Sequence, residues 1–357
     1  MSFFEKYAQE LAALERMSAA AGARCDYVQG GGGNTSVKLD GLMAIKASGY
    51  RLSQVTARGG YAVLDLSALD AFFGRTDPGA LGDVEAAGTA AVKGAAVAVE
   101  GLDALRPSVE AGFHSLLCKY VLHTHCVWAN LAACAAGGRA QIEQALAGSG
   151  LDWCYVRYVN PGAALTFEIK AALDGYEAAH GRRPGLIFMQ NHGLIATADD
   201  ADETTRLHET ASALLAEHFG LRMEDYPARP LRQLGAERFE SDCPYLRKQL
   251  ATGAYGAREL LDDALYPDQM VFFRGSVALR AGDEAPQGPC SVYPDGRVEY
   301  LCPRPTAEAI DQTLTAVVFI RQTLAERGLA VVPLGAASQS FIAGWEAEAA
   351  RRKLMSK

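Results

Sequence analysis

The chain has 357 residues, 49% of them hydrophobic, and a formal net charge of -8 at pH 7. That length allows roughly two domains, or one large α/β domain with an appendage, around a sizeable core. The acidic balance excludes a general binder of nucleic-acid backbones, which needs clustered Lys and Arg, but leaves room for small anions held by local donors.

From the N-terminus, residues 3–22 place apolar side chains at helical spacing and predict an amphipathic helix. Glu5, Glu10 and Glu15 interrupt it, unlike a secretory signal, and no run reaches the ~18 apolar residues of a membrane span. The expectation is therefore a cytoplasmic protein without a nucleic-acid or membrane partner. "GGGGNTS" at 30–36 breaks the helical pattern, and two short strands joined by a tight turn fit 35–47. Residues 84–99 are alanine-rich and fit either element.

From Pro107, "PSVEAGFHSLLCKY" predicts a helix with Ser108 as N-cap, followed by "VLHTHCVWANLAACAA" as a strand and then a helix. "GLIFMQNHGLIATA" is a strand pair at 185–198, and the acidic first turn of "DADETTRLHETASALLAEHF" marks a long helix. Residues 226–244, with three prolines, predict a linker between residues 1–225 and a small C-terminal α+β extension, 245–357. Asp295-Gly296 signals a hairpin turn there, and "TAEAIDQTLTAVVFIRQTLAERG" a helix. The eight cysteines include no CxxC pair and predict reduced side chains, mostly in the core.

Two of the seven histidines, His123 and His125, fall in the apolar strand. Residues i and i+2 of a strand share a face, so both imidazoles point to one spot, while Thr124 and Cys126 take the other side. Buried imidazoles need partners: either separate hydrogen bonds or one shared metal ion. His192, before Gly193 in a tight turn, is a third candidate, and three neutral histidines with an open position make a catalytic zinc site. Glu110 and His114, four apart, would share a helix face. Glu110 could then serve as a general acid or base, or simply be a first-turn glutamate. His180, His208 and His218 lie in charged helical surroundings and are expected to face solvent. "GGGGNTS", "KASG" at 46–49 and Ser108 are small polar turns that together could surround one anion, although none is a nucleotide motif.

Taken in order, "GGGNTSVK", "IKASG", "RPSVEAGFH", "VLHTHCVWANLAA" and "QNHGLIA" resemble the class II aldolase/adducin family of zinc-dependent sugar-phosphate aldolases. The likeness covers about 1–225 and looks closest to the aldolase part of long rhamnulose-phosphate aldolase/dehydrogenase proteins. It implies a three-layer α/β/α fold on a mostly antiparallel mixed sheet, and a homotetramer. It also implies Zn²⁺ on His123, His125 and His192, Glu110 as the catalytic carboxylate, and Gly33, Asn34, Ser48, Gly49 and Ser108 around the phosphate of a small sugar phosphate.

The implied reaction is cleavage of a ketose 1-phosphate to dihydroxyacetone phosphate and an aldehyde. Sugar-phosphate epimerisation and keto-acid phosphate decarboxylation use the same chemistry, and an adducin-like scaffold is the non-enzymatic counterpart. The family's further acid has no matching motif here, although Tyr155 and Tyr158 lie nearby in sequence. The extension beyond 235 has no counterpart in the short aldolases, and its Arg274, Arg297 and Arg304 are available for anions.

Overall fold

The structure is a computed structural model that describes residues 1–344; the last part of the expected C-terminal extension, 345–357, lies outside the described residues. The predicted first helix is two. Ser2 and Glu5 form a capping box on α1 (Phe3–Lys6), Tyr7 leaves helical geometry at φ -113° and ψ 27°, and α2 (Ala8–Gly22) follows. Strands β1 (Asn34–Leu39) and β2 (Leu42–Lys46) meet through Asp40 and Gly41, both at positive φ, as a two-residue hairpin requires. After β3 (Tyr61–Asp65) comes α3 (Leu66–Leu69). The alanine-rich stretch resolves into α4 (Val84–Gly94), capped by Asp83, and β4 (Ala96–Val97).

The helix expected from Pro107 is only α5 (Ala111–Ser115), with Glu110 at its N-cap position. Ser108 accepts instead from the Glu110 N–H at 3.3 Å, in the turn before the helix. Next come β5 (Tyr120–Thr124), α6 (Val127–Ala133), α7 (Gly138–Ala145), β6 (Trp153–Val156) and α8 (Ala163–His180). The predicted strand pair is β7 (Leu186–Met189) and β8 (Gly193–Ala198), and the long helix is α9 (Ala201–His218), whose N-terminal amides of Asp202 and Glu203 donate to the Asp200 carboxylate.

The first eight strands form one sheet in the order β4-β3-β2-β1-β5-β8-β7-β6, antiparallel throughout except for β6 with β7. Alternation along the strands sorts the side chains into two layers. Val37, Tyr120, Leu122, Phe188 and Leu194 pack toward α2, α6 and α9. Val121, Ile187 and Ile195, with Met43, Ile45 and Leu64, pack toward α3, α4, α5 and α8. This is the three-layer α/β/α arrangement with a mostly antiparallel mixed sheet.

The expected linker is not one: residues 226–244 include β9 (Leu231–Gln233) and β10 (Arg238–Ser241). These strands join β11 (Val277–Leu279), β12 (Cys290–Val292) and β13 (Val298–Leu301) in a second sheet, ordered β11-β12-β13-β10-β9. The Asp295-Gly296 turn closes the β12–β13 hairpin, pairing Val292 with Val298. The same part of the chain carries α10 (Pro244–Leu250), α11 (Pro267–Phe273), α12 (Arg304–Glu326), which packs on β10, and α13 (Ala336–Gly344). The extension does not stand apart, because its apolar residues continue the α2/α6/α9 core. The wholly buried Trp128 of α6 meets Phe319 of α12 edge-to-face at 5.7 Å. Among the described residues no helix is long and apolar enough to cross a membrane.

Candidate functional site

Strand β5 delivers His123 to the α5/α8 side of the sheet, against Phe113, while Thr124 faces the other layer and hydrogen-bonds His208 at 2.7 Å. His125 lies just past the strand end, yet its ring centroid is only 5.1 Å from that of His123. Cys126 turns away, placing its sulfur 3.4 Å from the Ser212 hydroxyl of α9. His192 occupies the turn between β7 and β8, 5.0 Å from His123 and 5.1 Å from His125. That turn leaves no freedom. Asn191 stands at φ 51°, and a Cβ on Gly193 would collide with the Thr124 carbonyl oxygen. One ligand nitrogen from each of the three buried histidines lies within 4.8 Å of the other two.

The remote ring nitrogens decide what the near ones offer. His123 Nδ1 is 3.1 Å from the Leu194 carbonyl, which can only accept, so Nδ1 carries the proton and Nε2 presents a lone pair. His125 Nδ1 lies 2.5 Å from the carboxylate of Asp268, with the same consequence. Both Nε2 atoms are buried and without a hydrogen-bond partner. Orphaned buried acceptors cost free energy, and a divalent ion bound by three neutral imidazoles would remove that cost. Burial pushes the His123 imidazole well below its ordinary pKa, which keeps it in the neutral form that ligates metal.

Glu110 stands across this cluster. Its Oε1 is 3.1 Å from His192 Nε2 and 3.7 Å from His123 Nε2, and Asn34 donates from Nδ2 to its Oε2. Burial opposes its ionisation, but the hydrogen bond with His192 favours the anion, and the carboxyl lies well below the usual carboxylate range. His114 does not share this orientation. Its Nδ1 lies 2.8 Å from the Ser36 hydroxyl, and burial pushes its pKa down to about 3.

The small polar turns meet in one cleft. A bridge between Ala47 and Pro107 joins the 46–49 turn to Ser108. Gly33, Asn34, Ser48, Gly49 and Ser108 line one cleft with Glu110, His125 and His192. Gly33 holds a φ of +69°, and a Cβ there would meet the His123 carbonyl at 2.6 Å. Asn34 has a second duty besides lining the cleft, since its amide nitrogen is committed to Glu110.

Lys46, Pro267 and Asp268 are among the lining or supporting residues that escaped the sequence. Lys46 lines the cleft and donates to the Tyr50 carbonyl at 2.7 Å, tying down the Ser-Gly turn; its place in "IKASG" was a usable signal. Pro267 lines the cleft and Asp268 holds His125, but no local pattern links residues 143 apart.

Other residues noted in the sequence lie outside the cleft. Among the described residues, Tyr155 lines a different surface depression beside Arg139 and Glu143, and Tyr158 does not line the cleft. Arg297 pairs with Glu299 and Arg304 covers the Phe239 ring, while Arg274 is exposed; none lines the cleft. His180 is exposed and His218 is half-buried against Gln141. His208 corrects its expectation: it is wholly buried, because α9 turns it inward to Thr124. The eight cysteines are free thiols.

Compared with known proteins, residues 9–218 match the class II aldolase and adducin N-terminal domain. The chain belongs to this family. Members that are aldolases use a divalent metal, in keeping with the three-histidine cluster. No curated protein sequence matches the chain.

Among solved structures, the chain is similar to the N-terminal class II aldolase domain of a conserved protein from Thermoplasma acidophilum. That match has 21% identity and a TM-score of 0.48, over 58% of this chain and 93% of that one. It is also similar to a sugar-phosphate aldolase from Thermotoga maritima (12% identity, TM-score 0.43, 60% and 95% covered). An L-fuculose-1-phosphate aldolase from Thermus thermophilus is a third (16% identity, TM-score 0.36, 59% and 92% covered).

Proposed function

We propose that the chain is a zinc-dependent class II aldolase, a carbon–carbon lyase that cleaves a ketose 1-phosphate to dihydroxyacetone phosphate and an aldehyde. The observation that carries this is the convergence of three buried imidazoles beside a buried carboxyl group: Glu110 Oε1 lies 3.1 Å from His192 Nε2. His123, His125 and His192 would hold the ion. When bound, it would supply Lewis-acid polarisation of the substrate's carbonyl and hydroxyl oxygens.

The remaining work falls to side chains. In the condensation direction, Glu110 takes the proton from the carbon of dihydroxyacetone phosphate that will form the new bond, and the aldehyde oxygen gains a proton from solvent. In cleavage the departing fragment's hydroxyl gives its proton to solvent as it becomes the aldehyde, the electron pair stays on the other carbon, and Glu110 returns the proton there. Asn34 fixes the carboxylate by donating to Oε2, so that Oε1, on the histidine side, is the oxygen that exchanges the proton. Ser48, Gly49, Gly33 and Ser108 line the part of the cleft that would take the phosphate, with Lys46 close by. A homotetramer, taken from the resemblance, and a cytoplasmic location are part of the same proposal.

Purified protein should carry one divalent metal per chain, lost in His123→Ala. It should release triose phosphate from at least one member of a panel of ketose 1-phosphates, ketose 5-phosphates and keto-acid phosphates. Release of an epimer or of carbon dioxide in its place would reassign the reaction on the same site, and a metal-free wild-type protein would sink the metal-enzyme reading altogether. Light scattering tests the tetramer.

A further inference from the structure

We propose that Asp268, carried by the C-terminal extension, is a positioning residue of the metal centre: its carboxylate fixes the His125 ring so that Nε2 faces the ion. This rests on the metal reading above. Asp268 is wholly buried, and its Oδ2 accepts from His125 Nδ1 at 2.5 Å. An imidazole held at one nitrogen by a carboxylate has one tautomer and one ring orientation. Released from it, the ring can turn or carry its proton on the nitrogen that should ligate.

The rest of the cluster distinguishes this contact. His123 takes its orientation from the Leu194 carbonyl, within the family-matched segment 9–218, whereas His125 takes its orientation from a residue 50 positions beyond that segment's end (268 minus 218). The surroundings are built to keep the pair together. A Cβ on Gly32 would stand 2.5 Å from Asp268 Oδ2 and 2.8 Å from His125 Nδ1, so only glycine lets the loop lie against it. The same loop is tethered to the extension just before Gly32: the Gly30 N–H donates to Gln312 at 2.9 Å, and Tyr266 donates to Gln29 at 3.3 Å. Asn191, beside His192, donates to the Leu265 carbonyl at 2.8 Å. The segment 265–268 therefore touches the glycine loop, His125 and the His192 turn together, and Asp268 is the residue through which it bonds a ligand ring.

The test is Zn²⁺ titration of the purified full chain against a chromophoric chelator, for wild type, Asp268→Asn, Asp268→Ala and His123→Ala. Absorption spectra with Co²⁺ in place of Zn²⁺ and melting curves of the metal-free proteins accompany it. Asp268→Ala is expected to weaken Zn²⁺ binding about 10- to 100-fold and to alter the Co²⁺ spectrum, with Asp268→Asn intermediate because its amide oxygen can still accept from Nδ1. Wild-type affinity and an unchanged Co²⁺ spectrum in both Asp268 variants would overturn the proposal while leaving the metal centre standing. Should Asp268→Ala fail to give a cooperative melt, the near-isosteric Asp268→Asn decides alone by the same criterion. If wild type binds no metal, the metal centre and this proposal fall together.

Discussion

Glu110 is under two opposed pressures, burial favouring the neutral acid and its hydrogen bond with His192 favouring the anion, and the direction is toward the anion. Asn34 adds a neutral donor to Oε2, so the carboxylate keeps its aim even as Oε1 exchanges a proton. Replacing Glu110 with Gln preserves shape and removes the proton-transfer group. Turnover with the reactive sugar phosphate should fall by about 10²- to 10⁴-fold, while metal content, read by elemental analysis of the same sample, stays at the wild-type ratio. A variant that turned over normally would remove Glu110 from the chemistry.

The residue scale also shows what the linear pattern could convey. The spacing of His123 and His125 announces a shared face because strand geometry has a period of two. The position of Glu110 is less legible: a glutamate before a histidine four residues on suggests a helix face, but the helix is only five residues long and Glu110 stands at its entrance, turned to the cluster.

Helices α9 and α12 each bury a titratable side chain, and the two act on stability with opposite signs. His208 on α9 is pushed by burial from 6.5 to about 3, so it is neutral in the folded protein. Its contribution is fully present above pH ~6.5 and is lost as pH falls from there through about 3, because the unfolded chain binds the proton first. Gln at position 208 can keep the bond to Thr124 without titrating. The pH dependence of unfolding free energy between these limits, from urea titrations, should flatten by about 1.4 kcal/mol per pH unit.

Asp311 on α12 accepts from Tyr300 at 2.8 Å, and burial raises it from 3.8 to about 6. The folded state therefore holds this proton longer than the unfolded chain, so its contribution is present below ~3.8 and is lost as pH rises through about 6. Asp311→Asn should gain roughly 2–3 kcal/mol at pH 7 relative to its effect at pH 4; equal effects at both values would contradict this account. Neither group was legible in the sequence. A histidine among charged residues on a long helix reads as solvated, and only the packing of α9 on the sheet shows which face is inward.

At the scale of the molecule, the extension closes the apolar face that α2, α6 and α9 present, rather than hanging from a linker. Trp128, Tyr226, Tyr245 and Phe319 form one aromatic cluster across the boundary. A chain cut after residue 225 should expose this face, aggregate on size-exclusion chromatography and lose its cooperative melt; a soluble, cooperatively folded fragment would show the extension to be dispensable for folding.

From the sequence by itself, the strand period put His123 and His125 on one face, and the order of five motifs carried a resemblance that implied the three-layer core and added His192. Strand alternation, a glycine-led turn and the order of five short motifs are local features, each expressed within a few residues. The tertiary structure decided what reaches that core from a distance: the 231–241 strands inside the supposed linker, the inward turn of His208, and the grip of Asp268 on His125. Such contacts depend on how whole elements stack once their apolar faces are buried, and no periodicity in the chain records which residue will lie opposite a partner 143 positions away.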